Sequence, residues 1–244
     1  MNKNLLSSVF FSLAIVLSAY MLAYAFMHRN KTEKKISVVG LGKTDFTSDL
    51  IVWEGSFSTF DSDLKQAYGR LNRDKKVVEQ YLTDKGIGRE EFVFSAVKTH
   101  PKTRAIYSES GNYIGDEFLG YELTQNITVK SEKVETVEKV GREITELLNK
   151  GVKFYSYAPR YYYTKLEDLK LEMISKATEN AKLRAEKIAE NSGAALGELI
   201  QARMGVFQIT GQYSNEDYSW GGTFNTSSKE KTASITMKLV YEAD

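Results

Sequence analysis

The chain has 244 residues, 42% hydrophobic and 27% charged, the composition of a folded protein rather than a disordered one. Lysine and arginine number 33 against 32 aspartates and glutamates, and this net charge of +1 gives no electrostatic basis for binding nucleic acid. Cysteine is absent, which excludes disulfides, thiolate metal sites, iron–sulfur clusters and thiol nucleophiles together.

Residues 5–27 read LLSSVFFSLAIVLSAYMLAYAFM and carry no charge. As a helix the segment rises about 34 Å, enough to cross a hydrocarbon core of about 30 Å. Lys3 precedes it; His28, Arg29, Lys31, Lys34 and Lys35 follow, and Tyr20 and Tyr24 suit a membrane interface. The expectation is an N-terminal membrane anchor over residues 1–29, a signal-anchor. The competing expectation is a secreted domain cleaved near Ala25, because Ala23-Tyr24-Ala25 resembles a small-x-small cleavage site. The apolar run exceeds the ~7–15 residues of an ordinary signal core, which favours the anchor. Charge alone does not orient it: the basic residues after the segment favour a cytoplasmic domain, the basic amino terminus an exported one.

Residues 30–35 form a polar linker, and residues 36–42 predict a first strand ending at Gly40 and Gly42. Residues 49–60 predict a second strand with Ile51, Trp53, Gly55 and Phe57 on one face. Asp61 and Ser62 are candidate N-caps of a helix carrying Leu64, Ala67, Tyr68, Leu71, Val78, Tyr81 and Leu82 and closing at Gly86 and Gly88. Phe92, Phe94 and Ala96 alternate as a strand that His100 and Pro101 interrupt or terminate. A hairpin loop at 108–116 and a strand at 118–130 follow. Ser131 is a candidate cap for a second helix, with Val134, Val137, Val140, Ile144, Leu147 and Leu148, ending at Gly151. Residues 152–163 predict a tyrosine-rich strand, either packed over a helix or exposed as an interaction face. The strongest helix is expected over 165–191, with Leu166, Leu169, Ile174, Ala177, Ala181, Ala185 and Ile188 on one stripe and Gly193 as its stop. Two closing strands, 196–210 and 232–241, flank a long loop.

Strand–helix–strand thus occurs at 49–97 and again at 118–163. The fold class predicted is α+β: an N-terminal transmembrane helix, then two α+β halves with helices packed on mixed or antiparallel sheets. The domain spans 36–241, with subdomains near 36–107 and 117–241.

Three stretches in order carry a family resemblance: ISVVGLGK at 36–43, GYELTQNITVKSEKVETVEKVGREITELLNKG at 120–151, and ATENAKLRAEKIAENSGAALGEL at 177–199, where an alanine-rich helix reaches Gly193 and Gly197. Together they resemble the SIMPL domain family of bacterial envelope proteins. The resemblance implies a domain on the outer side of the cytoplasmic membrane, facing the periplasm or exterior. It also implies large ring-like assemblies in some relatives, and a role in envelope maintenance or stress tolerance for some. It carries over no catalytic residue.

The residues themselves offer little chemistry. His28 flanks the membrane segment, and His100 lacks the carboxylate spacing of a metal site. Glu90-Glu91 and Glu167-Asp168 are sequence neighbours near element starts, where acids serve helix ends, and do not face each other across a cleft. Gly40-Leu41-Gly42 lacks a third glycine and leads into no helix, so it forms no phosphate cradle. Asn126-Ile127-Thr128 and Asn225-Thr226-Ser227 match glycosylation sequons. No catalytic, metal or cofactor residue is expected.

The loop 211–229 is the candidate interaction segment, because Tyr213, Tyr218, Trp220 and Phe224 stand among Gly, Ser and Asn. A disordered hairpin tip is the alternative. The functional expectation is a non-enzymatic, membrane-anchored extracytoplasmic protein. It acts through self-association as a homo-oligomer or through an envelope protein partner, binding the membrane through residues 5–27 and no nucleic acid. The competing expectations are a small-ligand or glycan-binding domain using Trp53, Trp220 or tyrosine faces, and a hydrolase with a dispersed carboxylate site.

Overall fold

The computed structural model describes residues 3–29 and 34–243, so most of the expected linker, residues 30–33, lies outside the described residues. Helix α1, Lys3–Arg29, contains the apolar run. Its stretch Val9–Met27 has mean hydropathy 2.1, and none of it is buried within the protein. A helix of that length, apolar all round and uncovered by any of the described residues, can cross a bilayer.

The chain is α+β and divides into two compact units. One contains residues 1–41, 178–204 and 237–244; the other contains 42–177 and 205–236.

The larger unit is built on β2 (Leu50–Asp61) and β5 (Tyr113–Ser131), which pair antiparallel over eleven positions from Ile51↔Ser131 to Asp61↔Tyr121. Strands β3 (Phe92–Phe94) and β4 (Lys98–Tyr107) also pair with β5, while β6 (Phe154–Ser156) and β7 (Arg160–Tyr162) pair with β2, all antiparallel. Alternation along β2 buries Ile51, Trp53 and Phe57 completely or nearly so. Leu123, Ile127 and Val129 of β5 join them, and helices α2 (Leu64–Asp84) and α3 (Val134–Glu143) supply Leu71, Val78, Leu82, Val137 and Val140 to the same core.

Several expectations change in detail here. The cap of α2 is Asp63, not Asp61 or Ser62: its Oδ1 accepts from the Gln66 amide at 2.8 Å, while Asp61 pairs with Arg70 at 2.8 Å. Ser131 sits two residues before Lys133, the N-cap of α3, where its hydroxyl accepts from the Lys133 amide at 2.9 Å. His100 and Pro101 lie inside β4 rather than ending a strand. Within this sheet β4 pairs only with β5, and an edge strand tolerates a residue with no amide hydrogen. The β4–β5 turn is shorter than expected, because β5 begins at Tyr113. The aromatic stretch 152–163 divides into β6 and β7 with Tyr157, Ala158 and Pro159 between them. Its rings divide: Tyr161 is buried, while Tyr155 and Tyr157 are exposed.

Strand β1 (Lys35–Thr47) runs on through both glycines instead of stopping at them. Gly42 explains why. A Cβ there would lie 2.5 Å from the Met173 carbonyl oxygen and 3.1 Å from the Ala177 amide of α4 (Leu166–Ser192), so the missing side chain is what lets helix and strand approach.

In the smaller unit, the end of α4 presents Ala181, Ala185 and Ala189, all buried. Asn180 and Arg184 reach β1, where Asn180 Oδ1 accepts from the Leu41 amide at 3.1 Å and Arg184 donates to the Val39 carbonyl at 2.8 Å. The second sheet has the order β1–β10–β8, where β10 is Glu230–Ala243 and β8 is Leu196–Met204. Residues 237–243 of β10 pair antiparallel with β8, from Met237↔Met204 to Ala243↔Leu196. The expected strand 196–210 is interrupted at Gly205–Phe207. In the larger unit β9 (Gln208–Gly211) resumes antiparallel pairing with residues 231–234 of β10.

Candidate functional site

The segment between β9 and β10 is ordered by a small set of polar side chains. Gln208, only 8% exposed, donates to the Ser219 carbonyl at 2.8 Å, and its carbonyl oxygen accepts from the Thr223 amide at 2.7 Å. Glu216 accepts from the Gly211 amide at 2.9 Å and from the Asn225 amide group. Asn225, 6% exposed, accepts in turn from the Ser228 amide at 2.9 Å. These bonds satisfy the loop's backbone groups from within, so the loop needs no hydrophobic core to be fixed.

The consequence is an outward display of rings. Trp220 is 100% exposed, Tyr213 95%, Tyr218 66% and Phe224 53%. Tyr213 takes φ 58°, a left-handed conformation uncommon for a residue with an aromatic side chain, at a turn where the Ser214 amide donates to the Gly211 carbonyl at 3.2 Å. Large rings held in water by a scaffold of buried amides have not been driven there by the fold's own packing.

The four aromatic positions named from sequence therefore lie on one short ordered segment. Sequence reasoning missed the framework of Gln208, Glu216 and Asn225. Asn225 had a readable signal, since an asparagine three residues before a serine in a Ser/Thr-rich stretch forms Asx-type turns. Its buried, bonded side chain also removes Asn225 as a glycosylation acceptor in the folded protein. Gln208, inside a strand pattern, carried no such signal.

The acidic pairs do structural work. Glu91 receives the Gly88 amide at 2.7 Å, the Ser131 hydroxyl at 2.5 Å and the Lys133 ammonium at 2.8 Å. Burial pushes its carboxyl upward, but the Lys133, Ser131 and Gly88 donors prevail and hold it below the usual value. Glu167 and Asp168 stand in the first turn of α4, where they complement the helix dipole.

Beside α3 lies a cavity of about 270 Å³ lined by Trp53, Glu138, Arg142, Tyr157 and Tyr161 among others. Trp53 is committed to the core there: its indole N–H donates to Ser156 Oγ at 2.9 Å, and its ring stacks on Phe154 with centroids 5.8 Å apart. Tyr161 donates to Glu138 at 2.8 Å, and burial together with that carboxylate pushes its hydroxyl up to about 12. Lys231 lies in the same unit and is 2% exposed. Its ammonium donates to Ser48 Oγ and to the Tyr161 carbonyl, both at 2.7 Å, and burial pushes it down to about 8. Among the described residues no group of three His, Asp or Glu side chains converges as metal ligands would.

These features define an α+β protein with an N-terminal helix long and apolar enough to cross a bilayer and an ordered aromatic loop. The chain belongs to the SIMPL family, described as a protein of unknown function (DUF541), which matches residues 36–241. A search of curated proteins found no match.

Proposed function

We propose that this chain is a non-enzymatic, membrane-anchored extracytoplasmic module that acts through self-association and protein contacts in the cell envelope. The ordered loop carries the reading: Trp220 is fully exposed on a segment fixed by Gln208, Glu216 and Asn225. Tryptophan and tyrosine are the residues that dominate binding energy at protein interfaces. The apolar α1 and membership of the SIMPL family support the envelope setting.

Light scattering of the full chain in detergent should give a defined oligomer. Replacing Tyr213, Tyr218, Trp220 and Phe224 together with alanine should reduce its size or its co-purification with envelope proteins, leaving the thermal transition in place. A monomer at every concentration would end the self-association reading; unchanged assembly and co-purification would reject the loop.

Location has its own test, made clean by the absence of native cysteine. Glu109→Cys in the exposed β4–β5 turn should react with a membrane-impermeant maleimide on cells whose outer barrier has been opened. Labelling only after lysis of the cytoplasmic membrane would place the domain inside.

The small cavity beside Trp53 favours one second reading, a small-ligand site, because the Glu138, Arg142 and Tyr157 side chains converge there. That reading predicts a change in Trp53 emission when the ligand enters.

A further inference from the structure

The two borders of the β1–β10–β8 sheet are finished differently. On β1, side chains of α4 occupy backbone groups: Asn180 takes the Leu41 amide and Arg184 the Val39 carbonyl. The other border, β8, has no strand beyond it among the described residues and is exposed from Glu198 to Met204. Its apolar side chains are in water, with Leu199 49%, Ile200 44% and Met204 60% exposed. An uncovered border strand with apolar side chains is a template for another strand.

Charge along this border identifies the occupant. Arg203 lies directly opposite Lys238 across the β10–β8 ladder, two cations facing each other. At the other end, Glu198 adjoins Glu242, whose Cβ approaches Gly197 closely enough that a methyl group there would lie 2.8 Å away. None of these four side chains forms an ion pair among the described residues. The strand therefore ends in a cationic pair at one side and an anionic pair at the other.

We propose that β8 pairs antiparallel with β8 of a second copy about a two-fold axis between Ile200 and Gln201. That register sets Glu198 of each copy against Arg203 of the other, and Leu199 against Ala202. Faces agree as well as charges. Leu199 and Ala202 stand opposite Tyr241 and Leu239, both buried, whereas Arg203 stands opposite the exposed Lys238. The carboxylate of one copy so reaches the cation pair that its own chain leaves unbalanced. One of the two register shifts in the β10–β8 ladder, at Ile200, falls on the axis; the other lies toward the start of β8, between Leu196 and Leu199. A self-complementary border of this kind closes as a dimer and does not propagate as a filament.

The proposal rests on the self-association reading and adds to the loop a second contact within it. Full-length protein in detergent is compared by sedimentation across a concentration series. Glu198→Arg and Arg203→Glu should each weaken association about tenfold or more, because each places like charges together twice in the symmetric contact. The double variant E198R/R203E should restore association to near the native level, and unchanged circular dichroism would show that all three chains fold. Wild-type protein that is monomeric throughout would overturn both the reading and the contact. Association that ignores both single reversals, or that the double variant fails to recover, would leave self-association standing and overturn the β8 pairing.

Discussion

Trp53→Ala is expected to lower stability by about 3–5 kcal/mol, the cost of a large buried aromatic and the cavity it leaves. Trp53 is 1% exposed, stacks on Phe154, and donates its indole N–H to Ser156. Trp53→Phe should recover much of the loss, since the phenyl ring keeps the contact with Phe154 and leaves only the Ser156 hydroxyl without its donor. The protein's other tryptophan is the internal control. Trp220→Ala removes a ring with no covered surface, so its effect should stay within about 0.5 kcal/mol. Denaturant titration of the three variants tests the ordering. Equal losses at the two tryptophans would contradict the packing described for both.

That contrast also measures how much of the fold the residue pattern discloses. Trp53 was legible because the alternation of Ile51, Trp53, Gly55 and Phe57 fixes one face of a strand, and a face of that kind must be covered. Trp220 was legible for the opposite reason: no period surrounds it, so nothing in the chain's own packing claims it. Helix α4 was legible in extent and only partly in register. Ile188 is 48% exposed and Ala189 3%, because burial recurs at every fourth residue from Leu169 to Ala189 rather than at the ideal 3.6.

What escaped the sequence was long-range. Gly42 looks like a strand terminator until the Met173 carbonyl is seen against it. Pro101 looks like one until β4 proves to be a border strand. The buried amide of Gln208 depends on partners eleven and fifteen residues away, separations at which no local propensity acts. The self-complementary charge of β8 needed the register with β10, because Glu198 and Arg203 acquire meaning only once Lys238 and Glu242 are placed beside them.

Lys231 gives the second large effect, and its sign is set by burial. Its ammonium has two neutral oxygen partners, Ser48 Oγ and the Tyr161 carbonyl, and lies only 2% exposed. Folding lowers its proton affinity from the ordinary 10.5 to about 8. Between those values the unfolded chain binds the proton and the folded chain does not, so stability rises with pH across the window. Below it the folded state carries the full cost of a buried cation. That cost is on the order of 3 kcal/mol, since each tenfold loss of proton affinity is worth about 1.4 kcal/mol. Tyr161 acts in the opposite sense further up: with its hydroxyl raised from 10.0 to about 12, stability falls again once unfolded tyrosine ionises above about pH 10. The unfolding free energy should therefore climb from about pH 8 to a maximum near pH 10. In Lys231→Met the climb should flatten, whatever the variant's stability at pH 7, because the methionine has no proton to lose. That stability has its own balance, since Ser48 and the Tyr161 carbonyl lose a donor while the buried charge disappears. Denaturant titrations of both chains at half-unit steps of pH give the comparison. Parallel profiles would assign the slope to other groups and remove Lys231 from the account.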